Sequence, residues 1–315
     1  MRVSIFFLLV LYAGGVYAST DLSSVLENVR VSCAGLSDEL SEMKTMAGVG
    51  TAVTAVGSVA GGVALGTGIA KAQIDSEVAE NEELIKALEE AGAIRVTSLD
   101  MFYSTFSKTL NDTGTVQGMQ YAQQLKKKNS ALEQKSKTLG DVRTGTLAAS
   151  TATNIAGAII SGTNQIKGDL KSQVNKCVAS VRNLASLRMQ ARLDGTVDDA
   201  TLAHTEKIIN ACGAWDTVDV NSINNRSTGA TVSSGIGAGL GLAGTITSGV
   251  ANSEHVRSAT GEGAQKKEKN LNTAANVLAG GTTVASVSAT IFNATQISAI
   301  KRAVTVAEEC EGALK

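Results

Sequence analysis

Proline is absent from this 315-residue chain, where ordinary usage near 5% would supply about 16. The residue is shut out of helix interiors and suits turns and edge strands. Its absence therefore excludes Pro-rich linkers, collagen-like repeats and most loop-rich β architectures, and favours helices joined by short connections. Aromatic residues are scarce too: one Trp, four Tyr and five Phe. The formal charge is −1, which excludes the basic surplus that a nucleic-acid binder needs to neutralise phosphates. Only two histidines occur, His204 and His255, both isolated from nucleophile-elbow or metal-ligand spacings.

The N-terminus reads as an export signal. Met1-Arg2 gives a basic start, Ile5 to Val10 an apolar run, and Val16-Tyr17-Ala18 a small-x-small cleavage site before Ser19. Residues 1–18 are therefore expected to be a secretory signal peptide, with the mature protein in the periplasm, the cell envelope or outside the cell. No cysteine stands at the cleavage point to take a lipid anchor.

Charge is strongly segregated in what remains. Four windows, residues 45–70, 144–166, 227–253 and 270–300, contain no Asp, Glu, Lys or Arg. They are 26, 23, 27 and 31 residues long, each longer than the roughly 20 needed for a helix to cross a hydrocarbon core. Their composition is mainly Gly, Ala, Ser, Thr and Val instead of Leu, Ile and Phe, so lipid insertion of any one window alone is marginal. Aromatic belts at the window edges are missing, and Lys and Arg flank the windows about equally on both sides. Two readings follow: four membrane spans, or a water-soluble bundle of thin helices.

Both readings rest on close helix contact. Val49, Val53, Val56 and Val63 share one helical stripe, with Gly50, Gly57, Gly61, Ala64 and Gly68 beside it. The third window repeats this, with Val232, Ile236, Ala243, Ile246 and Val250 next to Gly237, Gly241, Gly244 and Ser248. Glycine costs about 1 kcal/mol per helical position relative to Ala, so stripes this dense imply a compensating backbone approach. Gly57-x3-Gly61, Gly62-x3-Gly66 and Gly235-x3-Gly239 resemble the glycine-zipper segments of membrane-inserted and pore-forming helical proteins. The resemblance covers only the charge-free windows and implies helix packing through Gly50, Gly57, Gly61, Gly68, Gly237, Gly241 and Gly244.

The flanks read as charged helices: residues 72–91 with a stop at Gly92, Val96 to Leu110, Val116 to Leu139 with a stop at Gly140, 168–193 broken by Asp194-Gly195, and a helix opened by Asp198-Asp199. The expectation is an all-α chain of two long helical hairpins, 19–193 with a long tip at about 72–143 and 194–315 with a short tip at about 254–269, forming an up-down four-helix bundle.

The four mature cysteines, Cys33, Cys177, Cys212 and Cys310, all lie in charged flanks outside the windows, and an even count in an oxidising compartment points to two disulfides. Folding each half at its tip midpoint sets Cys33 opposite Cys177 and Cys212 opposite Cys310. Adjacency disfavours the diagonal pairing. Loop length favours Cys177–Cys212, around the turn at Gly195, with Cys33–Cys310. A metal site is not expected, because no Cys-x2-Cys or Cys-x-His spacing is present.

Other motifs carry little. Gly239-Leu-Gly241-Leu-Ala-Gly244 matches a dinucleotide fingerprint without the preceding strand that such a site needs. Paired acids such as Glu82-Glu83 read as solvated helix faces. Asn111, Asn225 and Asn293 each begin a glycosylation sequon. Met101, Phe102, Tyr103, Phe106, Met119 and Tyr121 cluster in the long tip, where they form a small core or a partner-binding tip built on Phe102, Tyr103, Phe106 and Tyr121. Trp215 is expected beneath the hairpin base. The expected function is non-enzymatic and cofactor-free: an envelope or membrane-interacting structural or assembly component, homo-oligomeric through its glycine stripes and pore-forming in its most specific form. Its partners would be membrane or envelope proteins, with no nucleic acid and no identifiable small-molecule substrate. The alternative is a soluble helical adaptor that binds proteins through its hairpin tips.

Overall fold

A computed structural model describes residues 22–102, 112–166, 168–195, 197–257 and 262–315. The expected signal peptide, Tyr103, Phe106 and Asn111 lie outside these residues, and Phe102 is described by its backbone alone. Among the described residues the regular structure is entirely helical. It comprises α1 (Leu22–Cys33), α2 (Leu36–Phe102), α3 (Asp112–Thr163), α4 (Gly168–Asp194), α5 (Asp199–Gly213), a 3-10 turn (Ala214–Thr217), α6 (Val220–Ala251), α7 (Glu254–Arg257) and α8 (Glu262–Leu314).

Each charge-free window begins inside one long helix. The first lies in α2 and the fourth in α8, while the second and third run two or three residues past the ends of α3 and α6. Glycine punctuates the chain where it turns left-handed: Gly35 at φ +76° separates α1 from α2, Gly168 at +52° begins α4, and Gly195 at +59° follows its end. Asp198 caps α5, its carboxylate accepting from the Thr201 amide at 2.9 Å and from the Thr201 hydroxyl at 2.7 Å. The backbone donor foremost, then the hydroxyl, hold that carboxyl below its ordinary range.

Two expected stops are not stops. Helix α2 runs through Gly92 and α3 through Gly140 without a break. At Gly140 the reason is packing: a β-carbon there would come within 2.7 Å of Asn252 Cγ, so the glycine admits a neighbour and does not end a helix.

The chain divides into two compact units, one made of the chain up to Val53, Ala156–Ser233 and Ser288–Lys315, the other of Thr54–Ile155 and Ser234–Val287. Each unit thus draws on both of the hairpins expected from the sequence. In the first, Val25, Val29, Leu36, Leu40, Val174, Val181, Leu184, Ile208, Trp215 and Ile223 form an apolar core around the four cysteines. Trp215 sits fully within this core. The second has a small apolar cluster, Ala64, Leu147 and Ala279, and a tip where an acidic stretch of α2 faces a basic stretch of α3. There Lys126 pairs with Glu89 and Lys128 with Glu77, both at 2.6 Å, and Asn81 donates to Asn129 at 2.8 Å. The hydrogen bond and charge of Glu77 raise the Lys128 pKa. In the same tip Met119 and Tyr121 are exposed.

The disulfides correct the pairing favoured by loop length. Cys33 bonds Cys177 and Cys212 bonds Cys310, with Cα separations of 4.9 and 4.5 Å. Loop length governs the entropy of the unfolded chain, whereas native pairing follows helix faces. Val25, Val29 and Cys33 of α1 are buried on the same side as one another, and Val174, Cys177, Val181 and Leu184 are buried on α4, the helix α1 packs against.

Candidate functional site

The windows bury residues at alternating three- and four-residue steps, the spacing of a coiled-coil seam. On α2 the buried positions are Ala47, Gly50, Thr54, Gly57, Gly61, Ala64, Gly68 and Lys71. On α3 they include Arg143, Leu147, Ser150, Asn154, Gly157 and Ser161; on α6 Ser227, Ala230, Ser234, Gly237, Gly241, Gly244, Ser248 and Ala251; on α8 Asn272, Ala275, Ala279, Thr282, Ser286, Ala289, Asn293, Gln296 and Ile300, while Thr151 and Ala285 are buried beside these seams. Large aliphatics are almost missing from these seams. Leu147, near the start of the second window, packs against Ala64 and Ala279.

Glycine is what lets the seams close. A β-carbon at Gly57 would meet Thr153 Oγ1 at 2.7 Å, and one at Gly61 would meet the Thr283 backbone at 3.3 Å. At Gly68 it would run into Asn276 and reach Arg143 Cδ at 3.2 Å; at Gly237 it would meet Asn154 at 2.9 Å and at Gly241 the Thr151 Cα at 3.4 Å. Gly244 lies 3.3 Å from Leu278 Cβ by the same measure, and in the other unit Gly50 lies 3.3 Å from Ile160. By contrast Gly62, Gly66, Gly235 and Gly239 have nothing within 4 Å. Of the three Gly-x3-Gly pairs, Gly57 and Gly61 therefore face inward and the other two outward.

Polar side chains bond across the seams. Asn154 Nδ2 donates to Ser286 Oγ at 2.8 Å and Ser286 Oγ donates back to Asn154 Oδ1 at 3.0 Å. Ser150 donates to the Gly57 carbonyl at 2.8 Å. In the other unit Ser161 donates to Asn293 Oδ1 at 3.0 Å, and Gln296 Nε2 to the Asn164 carbonyl at 2.8 Å. In the first unit the Ser161–Asn293 and Asn164–Gln296 pairs share a sequence separation of 132, so there the end of the second window and α8 run in the same direction.

A charged group borders the windows in the second unit. Arg143, fully buried, donates from Nε to Ser248 Oγ at 2.8 Å, from one terminal nitrogen to Asn276 Oδ1 at 3.1 Å and from the other to Asn272 Oδ1 at 2.8 Å. Burial lowers its pKa, opposed by the charge of Asp75. Lys71, also buried, pairs with Asp75 at 2.5 Å and Glu268 at 3.5 Å, and Ser136 donates to Asp75.

The outer faces are the reverse of the seams. Eighteen of the 25 exposed large apolar side chains among the described residues lie in the four windows, including Val59 (68%), Ile236 (54%) and Val284 (68%). The valine stripe of the first window points this way, with Val49, Val56 and Val63 exposed. Thr67, Thr146, Thr163 and Thr247, none of them buried, return their hydroxyl protons to carbonyls four residues back, at 2.8–3.1 Å. Segments within Leu22–Glu90 and Gln265–Leu314 reach mean hydropathies of 1.6 and 1.3 over 18 residues, long and apolar enough to cross a membrane, and only 28% and 33% of those residues are buried.

The remaining candidates resolve simply. His204 and His255 are exposed. Asn293 is buried, and the Ser227 hydroxyl of the Asn225 sequon is buried and donates to the Ser161 carbonyl, so neither folded sequon is open to a glycosyltransferase. The seam polarity was not foreseen from the sequence; its signal was the recurrence of Ser, Thr and Asn in register with the glycines. Comparison with protein-family models, with curated proteins and with solved structures finds no match for this chain.

Proposed function

We propose that the protein is an exported, non-enzymatic component of a cell envelope whose four charge-free windows cross a lipid bilayer as an up-down four-helix bundle, with Gly, Ser, Thr and Asn inside and Val, Ile and Leu toward lipid. The observation that carries this reading is the inverted polarity of the windows. A large apolar side chain moved out of water is worth about 1.5–3 kcal/mol, so the eighteen left substantially wet forfeit on the order of 10 kcal/mol, comparable with the whole stability of an ordinary domain. Facing lipid they lose nothing, and the outward threonines, already bonded to their own helices, bring no unpaired donor into the hydrocarbon.

Association inside lipid gains nothing from burying aliphatics, and it relies on close backbone approach and interhelical hydrogen bonds, which are the contacts these seams make. The outward pairs Gly62–Gly66 and Gly235–Gly239 suit lateral assembly of copies or of other envelope helices. Conduction through one copy is not part of the proposal, since the seams are filled by their own side chains; a channel would have to form between copies. Four crossings place the cysteine-bearing segments on one side and the two tips on the other. Membrane fractionation tests the reading: the mature protein should resist alkaline extraction and partition into detergent. A monodisperse soluble species in plain buffer would favour the helical adaptor instead.

A further inference from the structure

We propose that the four cysteines, when both disulfides are reduced, hold one soft divalent cation such as Zn2+ as a thiolate site, so that the same side chains staple the helices in either redox state. The sulfurs of Cys33, Cys177 and Cys310 all lie within 4.8 Å of one another, and Cys212 is bonded to Cys310, so the two disulfides are neighbours. Four thiolates around a tetrahedral Zn2+ at about 2.3 Å stand about 3.8 Å apart. Once both bonds are reduced, the two sulfurs of each former pair must separate by roughly 2 Å to reach that spacing, the longest separation among Cys33, Cys177 and Cys310 must shorten by at most about an ångström, and Cys212 is the fourth ligand.

The surroundings suit a structural site. The cysteines are fully buried and come from α1, α4, α5 and α8, so a metal would fasten four helices, as closed structural zinc sites do. In the same core Trp215 has a buried indole N–H with no hydrogen-bond partner among the described residues, a spare donor three residues from Cys212 in a region that would gain negative charge. The chemistry balances with a phosphine reductant: each disulfide takes two electrons from the phosphine and two protons from water, whose oxygen leaves as phosphine oxide, giving two thiols. Metal binding then releases the thiol protons to solvent. The inference is independent of the membrane reading, since every residue it uses lies outside the windows.

The test uses the full mature chain in detergent, reduced anaerobically with a phosphine and titrated with Co2+. One Co2+ per chain is expected, with thiolate charge-transfer absorption, tetrahedral visible bands and displacement by Zn2+; Zn2+ should also protect all four cysteines from alkylation. Cys33→Ser with Cys310→Ser should abolish the bands. A reduced chain that stays helical but gives no bands, or bands unchanged by these substitutions, overturns the proposal. If reduction unfolds the chain, Zn2+ should restore helicity and the Trp215 emission of the folded protein, and failure to do so overturns it equally.

Discussion

Around the two disulfides the helices bury Val29, Leu36, Leu184 and Ile208. Along the charge-free windows they bury Ser150, Asn154, Ser234 and Ser286 and expose Val59, Ile236 and Val284. The same backbone geometry serves both regions, and α2 and α8 take part in each. On the proposed membrane reading, the difference lies in the solvent each region is built for. An apolar core gains from leaving water, so it needs large side chains inside and charge outside. A seam in lipid gains only from contact and hydrogen bonding, so small residues and short polar ones go inside and the aliphatics become the outer surface.

The sharpest way to break the comparison is to remove the disulfides, which serve the apolar region alone. They close loops of 144 and 98 residues, for which chain entropy gives about 4–5 kcal/mol each. Cys33→Ala with Cys177→Ala should lower the thermal midpoint far more than any single outward substitution in the windows, as followed by circular dichroism in detergent. Next in size is the contrast between glycines. Gly61→Leu forces a side chain against the Thr283 backbone and should cost about 3 kcal/mol or more, whereas Gly62→Leu, one residue away and facing outward, should leave the midpoint within about 0.5 kcal/mol. Equal losses from the two would contradict the assignment of inner and outer faces.

A smaller effect sharpens the polar side. Asn154→Leu removes both hydrogen bonds to Ser286 and should cost about 1–2 kcal/mol in detergent, although Leu is the larger hydrophobe. In an ordinary apolar core the same change would stabilise, so the sign of the measured shift is informative. The smallest effect is the α5 cap. Because the folded Asp198 carboxyl titrates below its unfolded value, its contribution is complete above about pH 4 and fades as pH falls through the lower folded value. Asp198→Ala should therefore narrow its stability gap from the parent protein in acid, as read from midpoints across pH.

Much of this was legible in the chain itself. The missing proline and the charge segregation imply long helices with apolar stretches inside them, and Gly195 and Asp198 mark a turn and a cap that the structure contains. The two misread stops come from judging glycine by residue type. Gly92 and Gly140 read as stops because glycine is a weak helix former, yet Gly140 falls in step with Ser136, Arg143 and Leu147, the buried register of α3. Position in the register, more than residue type, separates a packing glycine from a terminating one. The polar seams were hidden for a related reason: amphipathic patterns are sought as apolar residues at three- and four-residue steps, and here the stepped residues are Gly, Ser and Asn while the aliphatics fill the outside. The cysteine pairing needed helix faces that only the packed structure shows.

The most direct test of the inverted windows places a tryptophan on their outer face. In protein carrying Val284→Trp and Trp215→Phe, reconstituted into bilayers containing brominated lipid, emission should be strongly quenched, while Trp215 in the parent protein, enclosed in the disulfide core, should be quenched little. Emission from position 284 that is insensitive to brominated lipid but quenched by aqueous iodide would show that this face meets water, and would contradict the account.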